Sequence, residues 1–408
     1  MSIEDETTEG SPAASGSKGN FFAVDWRCVE DATRYGDGVN AAVAYIALAR
    51  FTGRDQKTTL AGMTAIHERT GLSRGRADAA LKTLERAGLI TAPTTGKKGI
   101  RRSLVRWGLL QAERSRLTPK QSKVLDRVLS KKDPILSGSD PDYQTAYSLI
   151  AKGALEATDA APGKSRFRPA QSEWVWLPNT LVDGFGQGDT PLARLRQIQD
   201  KRVIPLLLDC YRLANLAEDG GLPWRYLHRK FKRVKIYTRG HFTVWGFVSE
   251  SLQAEWDPLF LRFRSDDKTA SSEALWNAVR ALLAAGLIED VGHIVEGMNE
   301  GAQALHVYAL PNEGEPEERA VATAAHRAGR AMITDHKHEW AVEQLGANPW
   351  LCPVRSHVTN VELVGIIRPV HRPHTRMTAA WGKNFLNQCA EQTALFESLR
   401  ENALKSAA

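Results

Sequence analysis

Two stretches far apart in the chain carry one pattern: AALKTLERAGLIT at 79–91 aligns without a gap on NAVRALLAAGLIE at 277–289. Each reads as an amphipathic helix, then a glycine, then a short aliphatic run. A repeat of this length implies a duplicated module rather than a solenoid. The matched positions are Ala80/Ala278, Leu81/Val279, Leu84/Leu282, Ala87/Ala285 and Gly88/Gly286. Upstream, FFAVDWRCVEDA resembles WVWLPNTLVDGF, and VNAAVAYIALARFTG resembles RVIPLLLDCYRLANL.

Around the first copy the local signals run in a definite order. FFAVDW reads as a strand, VNAAVAYIALARFTG as a helix, QKTTLAG as a strand or loop and MTAIHERTG as a short helix. The chain breaks at Gly71, restarts behind Ser73 as an N-cap and stops at Gly88 as a C-terminal cap. LITAPTT and SLVRWGLL then form a ribbon around the basic turn TGKKGIRR. On the helix, Ala77, Ala80, Leu81, Leu84 and Ala87 share the core face. The opposite face holds Gly75, Ala79, Lys82 and Arg86, with Thr83 and Arg76 to one side and Asp78 to the other, and Arg74 nearer the buried side. Small residues there allow close approach to another surface, and the flanking cations suit phosphates or guanine edges. Lys97, Lys98, Arg101 and Arg102 in the turn have no acid among them, which suits a phosphate backbone.

TGLSRGRADAALKTLERAGLI resembles the helix-turn-helix core of winged-helix DNA-binding domains, especially those of bacterial replication-initiator and DnaD-like proteins. The resemblance covers residues 20–110. It implies a recognition helix, Ser73–Arg86, in the major groove and a wing, Thr94–Arg102, on the backbone or minor groove. The implied partner is double-stranded DNA, and the implied role is initiation at a plasmid or phage origin or transcriptional control.

The second copy differs outwardly: Glu273, Asn277, Arg280 and Ala284 face out, with Trp276 and Leu283 beside them as candidate protein contacts. Before it, WRYLHRKFKRVKIYTRGHFTVWGF places Arg225, Arg229, Lys230, Lys232, Arg233, Lys235 and Arg239 together with no acid, interleaved with aromatics. VKIYTRGHFTVWGF reads as a hairpin about Arg239–Gly240, its aromatics packing and its cations binding nucleic acid.

These readings add up to an α+β chain that is mainly α with small β-wings. Residues 1–19 form a disordered acidic tail, 20–110 the first winged helix, 111–170 a helical connector, 171–310 the second winged helix and 311–408 a helical region. Homodimer or partner contact would use the second module or the C-terminal helix. The net charge of +7 agrees with a polyanionic partner. Four dispersed cysteines point to a reducing compartment, and no apolar run approaches the roughly 20 residues of a membrane span, so a cytoplasmic location is expected. His336, His338, Cys352, His357, His371 and His374 lack a standard metal-ligand spacing, PGKS at 162–165 lacks the first P-loop glycine, and no triad or carboxylate pair stands out. No cofactor, metal or catalytic residue is expected. Two other function classes stay open: a scaffold docking proteins through Trp276 and Leu283, and a metal-dependent nuclease built on the C-terminal histidines.

Overall fold

The computed structural model describes residues 20–406 except 54, 97–98, 108–109, 112–116, 131–134, 153, 163, 170–172, 185–187, 216–219, 224–226, 254–262, 264–267, 298–303, 308–313, 335–341, 343–348 and 373–375. The acidic tail 1–19 therefore lies outside the described residues.

The first module begins with β1 (Phe21–Asp25), α1 (Trp26–Ala32) and α2 (Gly38–Arg50). Every residue of α2 from Val39 to Ala49 is buried, because alanines and aliphatics on all sides leave it no polar face. β2 (Thr58–Thr59), α3 (Met63–Thr70), α4 (Arg74–Arg86), β3 (Thr94–Gly96) and β4 (Gly99–Ser103) follow, with the three strands in the order β2-β4-β3. Next come α5 (Pro119–Ser130), β5 (Ile135–Ser137), α6 (Tyr143–Ala151), β6 (Leu155–Ala161) and β7 (Lys164–Pro169). These last build a separate small core from Val124, Val128, Leu136, Leu149 and Phe167. The helical connector expected there is thus a small α/β unit, and the stretch TDAAPGKSRFRP, read as a flexible link, lies mostly in paired strands.

The second module contains β8 (Trp174–Pro178), α7 (Thr180–Asp183), α8 (Pro191–Gln197), α9 (Val203–Leu213), β9 (His228–Arg239), β10 (Phe242–Gln253), α10 (Lys268–Ala284), β11 (Ile288–Glu296) and β12 (Ala304–Val307). The chain ends with α11 (Pro316–Met332), β13 (Trp350–Arg355), β14 (Val361–Pro369) and α12 (Arg376–Lys405). Here the expected class fails. β12-β11-β14-β9-β10-β13 form one six-stranded antiparallel sheet, so the protein is α+β with a large sheet, not mainly α with small wings. The expected boundary at 310 cuts through this sheet, since β14 pairs with β11 from Ile288↔Pro369 to Glu296↔Val361 and β13 pairs with β10. The physical reason is burial on both faces. β14 is buried at all but one position, so it reads locally as a featureless apolar run whose pairing partners are remote. The hairpin loop is Gly240–His241, one residue later than expected, with Arg239 paired to Phe242 and Gly240 at φ +57°.

The two modules share one core. β1 and β8 pair antiparallel from Phe21↔Pro178 to Asp25↔Trp174, burying Phe22, Val24, Val175 and Leu177 beneath them. Arg27 meets Glu173 at 2.5 Å and Arg50 meets Asp183 at 2.6 Å, both across the module boundary. α8 sits between the modules and supplies two arginines to helix ends. Arg196 donates to the Thr70 carbonyl at the end of α3 (2.8 Å), and Arg194 donates to the Ala285 carbonyl just past α10 (2.6 Å).

Arg194 also lies 3.5 Å from Nε2 of His371. Burial, then the Arg194 charge, pushes the His371 imidazole down from near 6.5 to about 4. The unfolded chain takes up this proton first as pH falls, so the folded state keeps its full advantage above pH 6.5 and loses it toward pH 4. Asp290, raised to about 6, works in the opposite sense, so wild type and His371→Phe must be compared with each other. From pH 7.5 to 4.5 the variant should gain about 2 kcal/mol on wild type in urea unfolding; a constant difference would show that this imidazole does not titrate with folding.

Candidate functional site

α4 carries the largest group of expected contact residues. Ser73 caps it, its side chain accepting from the Arg76 amide. Ala77, Ala80, Leu81 and Leu84 are buried, as the helical period requires. Ser73, Arg74, Gly75, Arg76, Ala79, Lys82 and Arg86 are exposed and Thr83 is half-buried. Arg74 thus points to solvent rather than toward the core side. A Cβ placed on Gly75 would meet nothing within 4 Å, so this face is open. Lys82 pairs with Asp78 one turn away at 2.7 Å, an exposed contact worth a few tenths of a kcal/mol and readily exchanged. Arg74, Arg76, Arg86 and Arg101 make no ion pair among the described residues.

The helix stops in the same way in both copies. Gly88 and Gly286 take φ +73° and +61°, Leu89 N–H donates to the Leu84 carbonyl, and Leu287 N–H donates to the Leu282 carbonyl, each at 3.0 Å. This is the left-handed glycine stop, which frees the chain to turn into its hairpin. In the first module that hairpin is tied to α4 by Arg102, whose Nε lies 3.5 Å from Glu85. Arg102 is consequently a brace between strand and helix rather than a free phosphate clamp, while Arg101 next to it is exposed. Lys97 and Lys98 lie outside the described residues.

The basic stretch before α10 divides in two. Lys230, Lys232 and Lys235 are exposed on β9. Arg229 meets the fully buried Asp290 at 2.6 Å; burial raises that carboxyl to about 6 and Arg229 draws it partly back. Arg233 holds Glu362 at 2.8 Å, donates to the Val361 carbonyl and lies over the Trp245 ring. Arg239 donates to Ser406 at 2.5 Å. These three arginines stitch the sheet and the last helix together, which leaves Lys230, Lys232 and Lys235 as the exposed cations of the expected strip among the described residues. Arg225 lies outside the described residues.

The two candidate protein contacts also move. Trp276 is only 9% exposed and belongs to the shared core, and Leu283 is half-buried against it. α10 shows polar groups instead: Glu273, Asn277 and Arg280 are exposed, with Arg280 donating to Asn277 at 2.7 Å. Sequence reasoning missed Arg194 and Arg196, whose alternation in PLARLRQ behind a Thr190 cap was the available signal.

Of the expected histidine group, His336, His338 and His374 lie outside the described residues, His357 is exposed and Cys352 is buried in the core. No three potential metal ligands cluster among the described residues. No helix there is long and apolar enough to cross a membrane. Compared with models of protein families, with curated proteins and with solved structures, the chain finds no match.

Proposed function

We propose that the first module binds double-stranded DNA as a winged helix-turn-helix, with α4 as the reading helix and β3–β4 as the wing. One observation carries this reading: the outward face of α4 is small and open at Gly75 and Ala79 and is rimmed by Arg74, Arg76 and Arg86, none of them in an ion pair among the described residues. A surface held only for solubility mixes its signs and satisfies its cations locally, as Lys82 and Asp78 do. Close approach of the helix axis, with guanidinium groups at its edges, fits a major groove between two phosphate rows. Arg101, with Lys97 and Lys98 next to it in sequence, would meet a backbone, and Lys230, Lys232 and Lys235 would add a further positive strip. The biological setting we propose is replication initiation or transcriptional control, without a catalytic step and in the cytoplasm.

The test is fluorescence anisotropy on a random-sequence duplex across a salt series. Arg76→Ala/Arg86→Ala/Arg101→Ala should weaken binding and reduce the slope of log affinity against log salt by about 2–3. An unchanged slope would remove α4 and its wing from the interface.

A further inference from the structure

The unit at 117–169 repeats the internal logic of the first module. Both sheets place their first, third and second strands side by side, β2-β4-β3 in one and β5-β7-β6 in the other. Both have a helix before the first strand and a helix before the hairpin. The helix stop is shared as well: Ala154 N–H donates to the Leu149 carbonyl at 2.9 Å, matching Leu89 to Leu84 and Leu287 to Leu282. In all three the residue before this donor is a glycine: Gly153, Gly88 and Gly286. The central strand also sends one side chain back to the preceding helix. Ser165 Oγ lies 3.1 Å from the Tyr147 hydroxyl on α6, as Arg102 reaches Glu85 on α4.

We infer that residues 117–169 are a third, shortened copy of the module, lacking counterparts to β1, α1 and α3, and that its hairpin is a further contact for the phosphate backbone of double-stranded DNA. Register supports the match. Leu136, buried on the first strand, pairs with Ser165 as buried Thr59 pairs with Arg102. Lys164 and Arg166 then flank the inward Ser165 as Arg101 and Ser103 flank Arg102, which puts Lys164 at the position of the wing cation Arg101. Both are exposed and make no ion pair among the described residues, although Asp140 and Asp142 of the same unit are already held by Arg127. Two exposed cations on the solvent side of a central strand are complementary to a polyanion. The exposed Ile135 opposite Arg166 would instead mark a protein contact if DNA did not engage this face.

The inference rests on DNA binding by the first module, so the two are tested together on the full-length chain. A random-sequence duplex is titrated across a fourfold salt range with wild type, Lys164→Ala/Arg166→Ala and Arg86→Ala/Arg101→Ala. The first variant should lower the salt slope by about 2, so that its affinity falls roughly tenfold less than that of wild type over the range. Lys164→Arg/Arg166→Lys should keep the wild-type slope, and unchanged thermal melts would show that folding is intact. An unaltered slope in Lys164→Ala/Arg166→Ala beside a reduced slope in Arg86→Ala/Arg101→Ala would overturn the third contact alone. Absence of salt-dependent binding by wild type would overturn both readings.

Discussion

Arg368→Met should destabilise the chain by about 3–5 kcal/mol, the cost of leaving buried carboxylates without their counter-charge. Arg368 is 1% exposed in its side chain and lies on β14. Two of its nitrogens reach Glu318 on α11 at 2.9 and 2.6 Å, and its Nε reaches Glu289 on β11 at 2.5 Å. Burial opposes the guanidinium charge, but the two carboxylates outweigh it and hold the group firmly protonated. Glu318 has a second duty, accepting from the Glu315 amide in the capping box that starts α11. The substitution therefore strands Glu318 at a helix start with no exposure to water. Urea unfolding followed by far-UV dichroism measures the loss. Adding Glu318→Gln to Arg368→Met should return at least about 1 kcal/mol, as coupled partners do. A loss below about 1 kcal/mol in the single variant would mean that the carboxylates find water or each other's proton.

The second large effect tests the shared core. Ile46 is 1% exposed on α2, in the same cluster as Leu177, Leu207, Leu282 and Leu287 of the second module. Ile46→Ala should cost about 2–5 kcal/mol through lost burial and the cavity left behind. Because the cluster is continuous, both modules should still melt in one transition, shifted down together. Two separated calorimetric transitions would show that the modules fold independently and that their contact is a weak docking.

Local features are legible in the sequence. The α4 stop at Gly88, the Ser73 cap and the core face from Ala77 to Leu84 follow from period and capping chemistry, which a short window contains. The pairing of β9 with β10 was legible for the same reason, through its two-residue loop. The six-stranded sheet was not, because Val364↔Lys230 and Ile288↔Pro369 join segments whose sequences say nothing about each other. The ion pairs of the β9 arginines are not legible for a related reason. Arg229 and Arg233 owe their inward role to Asp290 and Glu362, carboxylates on other strands. The burial of Trp276 is not legible because a helix with apolar residues on most sides offers no clear outer face; Leu275, Ala278 and Val279 beside it are buried too. The helix–glycine–hairpin unit at 117–169 is poorly legible because LIAKGALEA keeps the glycine but has Ala-Leu where the other two stretches have Leu-Ile.

The pairing of β1 with β8 has a consequence for how such a chain can change over time. Phe22 and Val24 pair with and share a buried cluster with Val175 and Leu177, which follow them by about 150 residues. A free-standing domain can be copied into another gene and still fold; neither half of this pair can, because each would arrive with half an interior. Recombination breakpoints within the joined body are therefore closed. The segment between the halves, which keeps its own small interior, is open to replacement, lengthening or loss, and divergence between chains of this architecture should concentrate there.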